Sequence, residues 1–458
     1  MLGGLEVKEI QLKSCLENKD YRIDSGFYTK APIINSNLEY KKIGDCLVSS
    51  QYGISIAMNE EGIGCPIYRM NEIHNLLCDL DVNKCADITQ DELETFKLHD
   101  KDVIFNRTNS FEWVGRTGIY YQNDNIDRVF ASYLVRFIPN TDILLPEYLT
   151  TYLNTKYGIW DIKRRARQSI NQTNVNPEEV KCMDIPILEM DIQKHIAQKL
   201  QEANKKRIIS QQLYISAESY LLESLGMTDF ATNPDAYNVK TLKESFLETG
   251  RFDAEYYLPK YEDYCSLVQF YANGYEPLGD ACNIKDTNYT PEAGVRYKYI
   301  ELASIGKSGE ITGCDIQDGE NLPTRARRLV HQGDVIISSI EGSLESCALV
   351  TDDYDGALCS TGFYVLQSSK LNPETLLTLF KSQPIQQLMK KGCSGTILTA
   401  ISKPELEKLP VPIIRQEVQD EIAQHVQRSF ALRKEAMQLL ENAKVTVEQA
   451  TEIGGVIY

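Results

Sequence analysis

A histidine three residues ahead of an aspartate can be an acid–base pair, the imidazole exchanging a proton near neutral pH while the carboxylate orients it, or half of a metal site. The pattern occurs twice among only five histidines, as HDKDVIF over 99–105 and HQGDVII over 331–337. Neither His99 nor His331 has a second histidine or a cysteine at ligand spacing beside it, so a turn-stabilising or partly buried histidine is expected rather than a catalytic or metal-bound one. Asp102 and Asp334 are then expected to tighten the turn into VIF and VII, because an aspartate can hydrogen-bond its own backbone. The twelve cysteines contain no Cys-x-x-Cys pair and no Cys/His cluster, which argues for buried thiols in a reducing cytoplasm and against zinc. The adjacent Asp352 and Asp353 in TDDYDG read as turn carboxylates facing solvent, not as a magnesium site.

No other catalytic signature is present: no phosphate loop ending in Gly-Lys-Ser/Thr, no Gly-x-Ser-x-Gly elbow, no His-Glu-x-x-His and no Asn/Asp-Pro-Pro-Tyr/Phe. The chain therefore reads as a binder with no cofactor of its own. The groups suited to nucleic acid are amides, phenols and guanidinium forks in glycine-bearing loops. In the first half these are Tyr52 and Asn71, then Asn106, Arg107, Asn109 and Arg116 within FNRTNSFEWVGRTG (105–118). KRRAR over 163–167 offers a phosphate clamp through Lys163, Arg164, Arg165 and Arg167, with a solvated helix face as the alternative. In the second half the candidates are Tyr289, Arg296, Lys298 and the RARR cluster with Arg325, Arg327 and Arg328. For Arg107 and Arg116 the competing reading is a salt bridge or a cross-loop hydrogen bond. A formal net charge of -17 disfavours a chain that coats itself in DNA unaided; it suits a subunit with basic groups gathered on one face and partners that neutralise phosphate.

The elements that must position these groups are written twice. YRIDSGFYTK (21–30) answers GRFDAEYYLPK (250–260), aligning Asp24 with Asp253 and Tyr28 with Tyr257; KKIGDCL (41–47) answers EPLGDAC (276–282); PIYRMNEI (66–73) answers VRYKYIEL (295–302) with the two-residue alternation of a half-buried strand. Past the Asp-Val-Ile pair, DIPILEMDIQKHIAQKL (184–200) matches PVPIIRQEVQDEIAQHV (410–426). The unit is one mixed α/β domain followed by one helix, repeated.

Apolar residues then recur every three or four positions through Ile192, Ile196, Leu200, Ala203, Ile209, Leu213, Ala217, Leu221 and Leu225, and again through Val418, Ile422, Val426, Phe430, Ala436, Leu440, Ala443, Val447 and Ala450. Neither stretch contains proline or glycine before Gly226 and Gly454, so each predicts a long helix with one apolar stripe. Without another long partner the two are expected to pack antiparallel as a coiled coil, chiefly through Ile192, Ile196, Leu200, Leu213, Leu221, Val418, Ile422, Val426, Leu440 and Val447. About 33 helical residues span roughly 50 Å, on the order of 15 base pairs of B-form DNA. A helix pair that only scaffolds proteins is the alternative. No apolar run reaches the ~20 residues that cross a bilayer, and MLGGLEVKEIQLKSC lacks the pattern of a secretory signal, so a cytoplasmic protein with no membrane partner is expected.

These features together resemble the DNA-specificity (S) subunit of type I restriction-modification systems. The residues that carry the likeness are the SSQYGIS loop, YRMNEI (68–73), the 99–118 run with its counterpart HQGDVIISSIEGS (331–343), and the twin IP-IL and VP-II segments that lead into the long helices. The resemblance implies an α/β (α+β) chain with two homologous target recognition domains, 1–187 and 238–412, separated by two long antiparallel helices, a central spacer at 188–226 and a C-terminal spacer at 413–450; 227–237 is a linker and 451–458 a tail. It implies that each recognition domain reads half of a bipartite double-stranded target while the helices set the gap. It implies two adenine-N6 methyltransferase (M) subunits using S-adenosylmethionine, and two restriction (R) subunits using ATP and Mg. The chain itself would be non-catalytic; a methylation-only complex and a non-DNA scaffold are the alternatives.

Overall fold

The computed structural model describes residues 9–17, 21–29, 35–170, 172–228, 230–395 and 398–453. Parts of the expected first recognition domain (1–8, 18–20, 30–34 and 171), linker (229), second recognition domain (396–397) and tail (454–458) lie outside the described residues. The chain forms two compact units: Met1–Ile208 with Arg433–Tyr458, and Ile209–Leu432.

In the first unit the strands that concern the site are β1 (Leu47–Tyr52), β2 (Ile73–His74), β3 (Leu77–Cys78), β4 (Val103–Asn106), β5 (Thr108–Asn109), β6 (Thr117–Ile119) and β7 (Leu134–Pro139). Helices α1 (Pro146–Leu153) and α2 (Lys156–Arg165) follow, then β8 (Arg167–Ser169) and β9 (Gln172–Asn174). The main sheet runs β1-β7-β4-β6-β3-β2. β7 lies antiparallel to β1 and to β4, placing Phe137 opposite Ser50 and Val103, and β4 lies antiparallel to β6. All four residues of β4 are buried, which is why VIFN is apolar without alternation up to its last residue. Pro146 opens α1 at a position whose N–H needs no partner. Tyr148, Leu149 and Leu153 from that helix meet Val103, Phe105, Val135 and Phe137 in one core.

The second unit repeats the plan with β10 (Asn283–Lys285), β11 (Arg296–Ile300), β12 (Asp315–Asp318), β13 (Ala326–Leu329), β14 (Val335–Ser338), β15 (Cys347–Leu349), β16 (Leu358–Ser360) and β17 (Phe363–Gln367). Helices α4 (Pro373–Lys381) and α5 (Gln383–Gly392) and the short strands β18 (Cys393–Ser394) and β19 (Ala400–Ile401) complete it. Its main sheet runs β10-β17-β14-β15, all antiparallel, the same four positions as β1-β7-β4-β6. Each unit is closed by a two-stranded pair that returns the chain to its start: Tyr40 opposite Pro186, and Tyr275 opposite Pro412. These are the IP and VP segments that precede the long helices.

The duplicated His-x-x-Asp is a duplicated turn. Asp102 Oδ2 accepts the His99 N–H at 2.9 Å and Asp334 Oδ2 accepts the His331 N–H at 2.8 Å. The residue between has the left-handed conformation in both, φ 68° at Lys101 and 87° at Gly333, a backbone that glycine adopts without strain and lysine does not. The buried aspartates meet cations, Arg136 at 3.0 Å and Lys285 at 3.4 Å, while both histidine side chains stay more than half exposed. Among the described residues no group of three His, Cys, Asp or Glu is placed to hold a metal, and all twelve cysteines are free thiols.

The long helices are α3 and, at the end of the chain, α6: Met190–Ser224 and Gln416–Ile453, 35 and 38 residues, or roughly 52 and 57 Å at the α-helical rise. Within the first unit Lys199 reaches Thr446 at 2.8 Å and Lys206 reaches Glu435 at 2.7 Å, so position numbers rise on one helix as they fall on the other and the pair is antiparallel. Ile196, Leu200, Leu440 and Val447 are buried there with the sheet core, and Ile192 is half-buried against it. In the second unit Leu221, Val418, Ile422 and Val426 are buried. The expected stripe needs correcting at its middle. Leu213 is half-buried and Tyr214, 5% exposed, takes the interior position; Ile209 is exposed and Ser210 is fully buried; Ser429 and Leu432 lie inside where the periodicity points to Phe430. Serine is tolerated because its hydroxyl is satisfied: Ser429 Oγ donates to the Ser210 carbonyl at 2.7 Å and lies 3.0 Å from the Ser210 hydroxyl. The helix runs through Ile453, beyond the expected spacer end at 450. No described helix is long and apolar enough to cross a membrane.

Candidate nucleic-acid interface

The basic run at the end of α2 is mostly internal, which overturns the four-residue phosphate clamp. Arg165 is 6% exposed and pairs with Asp161 at 3.2 Å and Glu179 at 2.9 Å, both carboxylates buried. Arg164 bonds Asp161 and donates to the Phe27 carbonyl at 2.8 Å. Lys163 Nζ donates to the carbonyls of Phe111, Glu112 and Val114, and burial pushes its pKa down to about 8. These cations fasten the 110–116 loop and the 22–29 segment to α2. Of the four, only Arg167, on β8, is exposed.

Asn106 is a second correction. It is 0% exposed at the end of β4, where its Oδ1 accepts the Thr108 N–H at 3.2 Å; a side chain with no exposed surface cannot read a base in this conformation. Asn71 is exposed on the Met70–Glu72 turn, and no hydrogen bond among the described residues links its side chain to the 105–118 loop.

The remaining first-unit candidates gather where β1, β4 and β7 begin or end. Arg107 follows β4 and donates its N–H to the Tyr133 carbonyl at 3.0 Å. Its guanidinium lies 5.3 Å from the Tyr52 ring centroid, and its buried Nε has no hydrogen-bond partner. Tyr52 is 47% and Tyr133 43% exposed. Further along the loop Arg116 stacks 3.5 Å over Trp113, and burial lowers its pKa; neither arginine makes a salt bridge among those described. Gly115 permits this conformation, with φ 90° and a position where a Cβ would meet Ile162 at 2.4 Å. Trp113 and Phe111 are themselves exposed, each ring beside a cation, Arg116 and Lys163 respectively.

Asn109 belongs to a small sheet, β8-β9-β5, in which Thr173 faces Asn109 and Arg167 faces Asn174. The β8–β9 hairpin carries Arg167, Gln168, Ser169 and Gln172 outward with Ile170 99% exposed. Sequence reasoning missed this hairpin; its only mark is a lone apolar residue in the polar run QSINQTN that follows the basic cluster. The second unit places β18 and β19 at the same point after α5, pairing Cys393 with Ile401 and leaving Leu398 exposed.

The base of each hairpin is held by the first duplicated motif. Arg22 bonds Asp24 at 2.7 Å and donates to the carbonyls of Arg164 and Arg165 at 3.2 and 2.9 Å; Tyr28 donates to the Arg22 carbonyl at 2.8 Å. In the second unit Arg251 bonds Asp253 at 2.8 Å and donates to the carbonyls of Gly392 and Cys393, and Tyr257 donates to the Arg251 carbonyl at 2.9 Å. An arginine at the carbonyl end of α2 or α5 suits the partial negative charge there.

The second-unit candidates lie elsewhere in their unit, on the sheet ordered β12-β11-β16-β13. Arg296 and Lys298 point from the exposed side of β11; Lys298 donates to the Asp353 carbonyl at 2.5 Å. Arg325 is exposed and meets Glu301 at 3.2 Å, Arg327 donates to the Thr324 carbonyl at 3.0 Å, and Arg328 donates to Asn288 at 3.0 Å. Tyr289 joins the group through its N–H on the Arg327 carbonyl and its hydroxyl 3.1 Å from that of Tyr297. The counterpart of the first unit's 107–116 loop holds Glu341, Gly342 and Ser343 and no arginine. The two units thus share a scaffold and differ in the surface built on it.

The type I restriction modification DNA specificity domain family matches residues 28–219. The putative type I restriction enzyme MjaX specificity subunit of Methanocaldococcus jannaschii is 22% identical over 433 residues, 93% of this chain and 95% of that protein. The type I restriction enzyme EcoKI specificity subunit of Escherichia coli is 23% identical over 166 residues, 36% of each. Among solved structures, the type I S subunit from M. genitalium matches at TM-score 0.39 and 13% identity over 94% of this chain and 100% of that one. The HsdS subunit from Thermoanaerobacter tengcongensis matches at 0.31 and 13%, over 92% and 98%. The chain is thus similar, over residues 28–219, to the type I restriction modification DNA specificity domain and, over nearly its whole length, to a type I specificity subunit.

Proposed function

We propose that this chain reads a bipartite, asymmetric duplex target, one half with each recognition domain (1–187 and 238–412), and that the helices at 188–226 and 413–450 set the gap between the halves. Two methyltransferase subunits using S-adenosylmethionine then modify adenine N6, and two restriction subunits using ATP and Mg cleave unmodified DNA. The observation that carries this reading is the duplication itself: the same four-strand order and the same arginine-held hairpin occur twice, beneath exposed residues that differ. In the first domain Tyr52, Arg107, Asn109, Arg116 and Arg167 are the contact set, with the exposed Trp113 and Ile170 beside them. In the second it is Tyr289, Arg296, Lys298, Arg325, Arg327 and Arg328. A guanidinium fork matches two acceptors on a guanine edge or two phosphate oxygens, so each set can both hold the backbone and discriminate bases. The test is methylation-sensitive sequencing of DNA from a host expressing this chain with its methyltransferase. A two-part N6-methyladenine motif with one gap length is expected; a contiguous motif, or no motif, refutes the reading.

A further inference from the structure

Each unit is fastened to its long helix by the same two glutamines. Gln193, 1% exposed in the first turn of α3, accepts the Leu145 N–H at 2.9 Å and donates to the carbonyls of Ile143 and Leu188 at 3.0 and 2.9 Å. Two turns further, Gln201 donates to Glu147 at 2.8 Å; that carboxylate is 1% exposed near the start of α1, with Lys101 at 3.4 Å. On α6, Gln419 accepts the Asn372 N–H at 2.9 Å and donates to the carbonyls of Lys370 and Ile414, each at 3.0 Å. Gln427 then donates to Glu374, near the start of α4, at 2.7 Å.

A spacing of eight residues turns the second glutamine about 80° from the first, so each pair brackets one broad helix face, with Gln193 and Gln419 buried and Gln201 and Gln427 at its exposed edge. The rest of that face is apolar, and apolar contact is non-directional, so by itself it permits a helix to slide or roll under the sheet. A hydrogen bond fails within a few tenths of an ångström and some tens of degrees. We infer that the two glutamine latches fix the register and roll of each recognition domain on its helix, and so determine how strictly one gap length is accepted. The inference rests on the bipartite reading above. A gap wrong by one base pair moves a half-site by about 3.4 Å along the axis and about 35° around it, a displacement that an intact latch opposes and an apolar face alone tolerates.

The test uses the complete complex with its methyltransferase and duplexes carrying both half-sites at the native gap or one base pair longer or shorter. Gln427→Glu sets two carboxylates against each other where the bond was; adding Glu374→Gln exchanges the partners and restores it. The single variant is expected to lower the preference for the native gap by roughly tenfold, the factor equivalent to a lost charge-assisted hydrogen bond, while the exchanged pair recovers the wild-type preference. Equal loss of methylation at every gap length in the single variant, or an unchanged preference, refutes the latch while leaving the bipartite reading intact. A wild-type complex with no gap preference refutes both.

Discussion

Arg107 and Arg165 each supply one positive charge to the first unit, yet the structure separates their roles, and replacing each by alanine tests the distinction. Arg107 sits over Tyr52 with an unpartnered Nε at the rim of the main sheet. Its fork is built for a bidentate contact worth about 1–3 kcal/mol of discrimination, a factor of about 5 to 150. Arg107→Ala is expected to lose that factor at one half-site, with the other half-site read as before and the melting temperature nearly unchanged. If the contact is to phosphate, binding weakens evenly across sequences and the slope of log affinity against log salt falls by about 0.9. Arg165 is 6% exposed between Asp161 and Glu179, which are 4% and 1% exposed. Removing it takes a buried cation from beside two buried carboxylates, a cost of about 3 kcal/mol, and in a unit of this size a fall in melting temperature of about 6–12 °C. The assay is competition binding by the complex with its methyltransferase, using duplexes varied in one half-site at a time, beside thermal melts of both variants. Equal loss of base discrimination at both half-sites in Arg107→Ala, or unchanged stability in Arg165→Ala, refutes this assignment.

Three further outcomes are expected. Deleting seven residues from each long helix at facing positions removes two turns, about 10 Å, and is expected to shorten the preferred gap by about three base pairs; sequencing of methylated sites measures it, and an unchanged gap excludes the helices as the ruler. Gly333→Ala puts a side chain at φ 87° and is expected to cost about 1–2 kcal/mol in urea unfolding, whereas Lys101→Gly is expected to stabilise by less, because relief of the same strain is offset by the lost contact with Glu147 at 3.4 Å. Ile170→Ser changes a side chain 99% exposed, so stability is expected to stay within about 0.5 kcal/mol while affinity for the first half-site falls; an unaltered affinity in a filter or fluorescence titration removes the hairpin from the interface.

Some of the candidate site is legible in the sequence. Arg107 and Arg116 stand in a loop whose glycines announce a turn, and both are half-buried beside aromatic rings. Asn106 is not distinguishable from Asn109 by residue type. Three residues further along, β5 pairs outward with β9 while Asn106 stays in the buried strand β4, a difference made by strand pairing across more than sixty positions. The helix stripes are legible at their ends, where leucine, isoleucine and valine recur, and misleading at the centre, where Tyr214, Ser210 and Ser429 replace them.

What the amino-acid order determined by itself is what depends on near neighbours and on repetition: two copies of one α/β unit, the aspartate-tightened turn before each central strand, and two helices longer than any domain core requires. Periodicity and turn chemistry act over a few residues, so they survive being read along a line. Only the tertiary structure decided which charges face solvent. KRRAR is four cations in sequence, but the partners of Lys163, Arg164 and Arg165 are carbonyls at 111, 112, 114 and 27 and carboxylates at 161 and 179, most of them brought near by the fold. Burying a cation is tolerable only where such partners converge, and that convergence is a property of the packed chain.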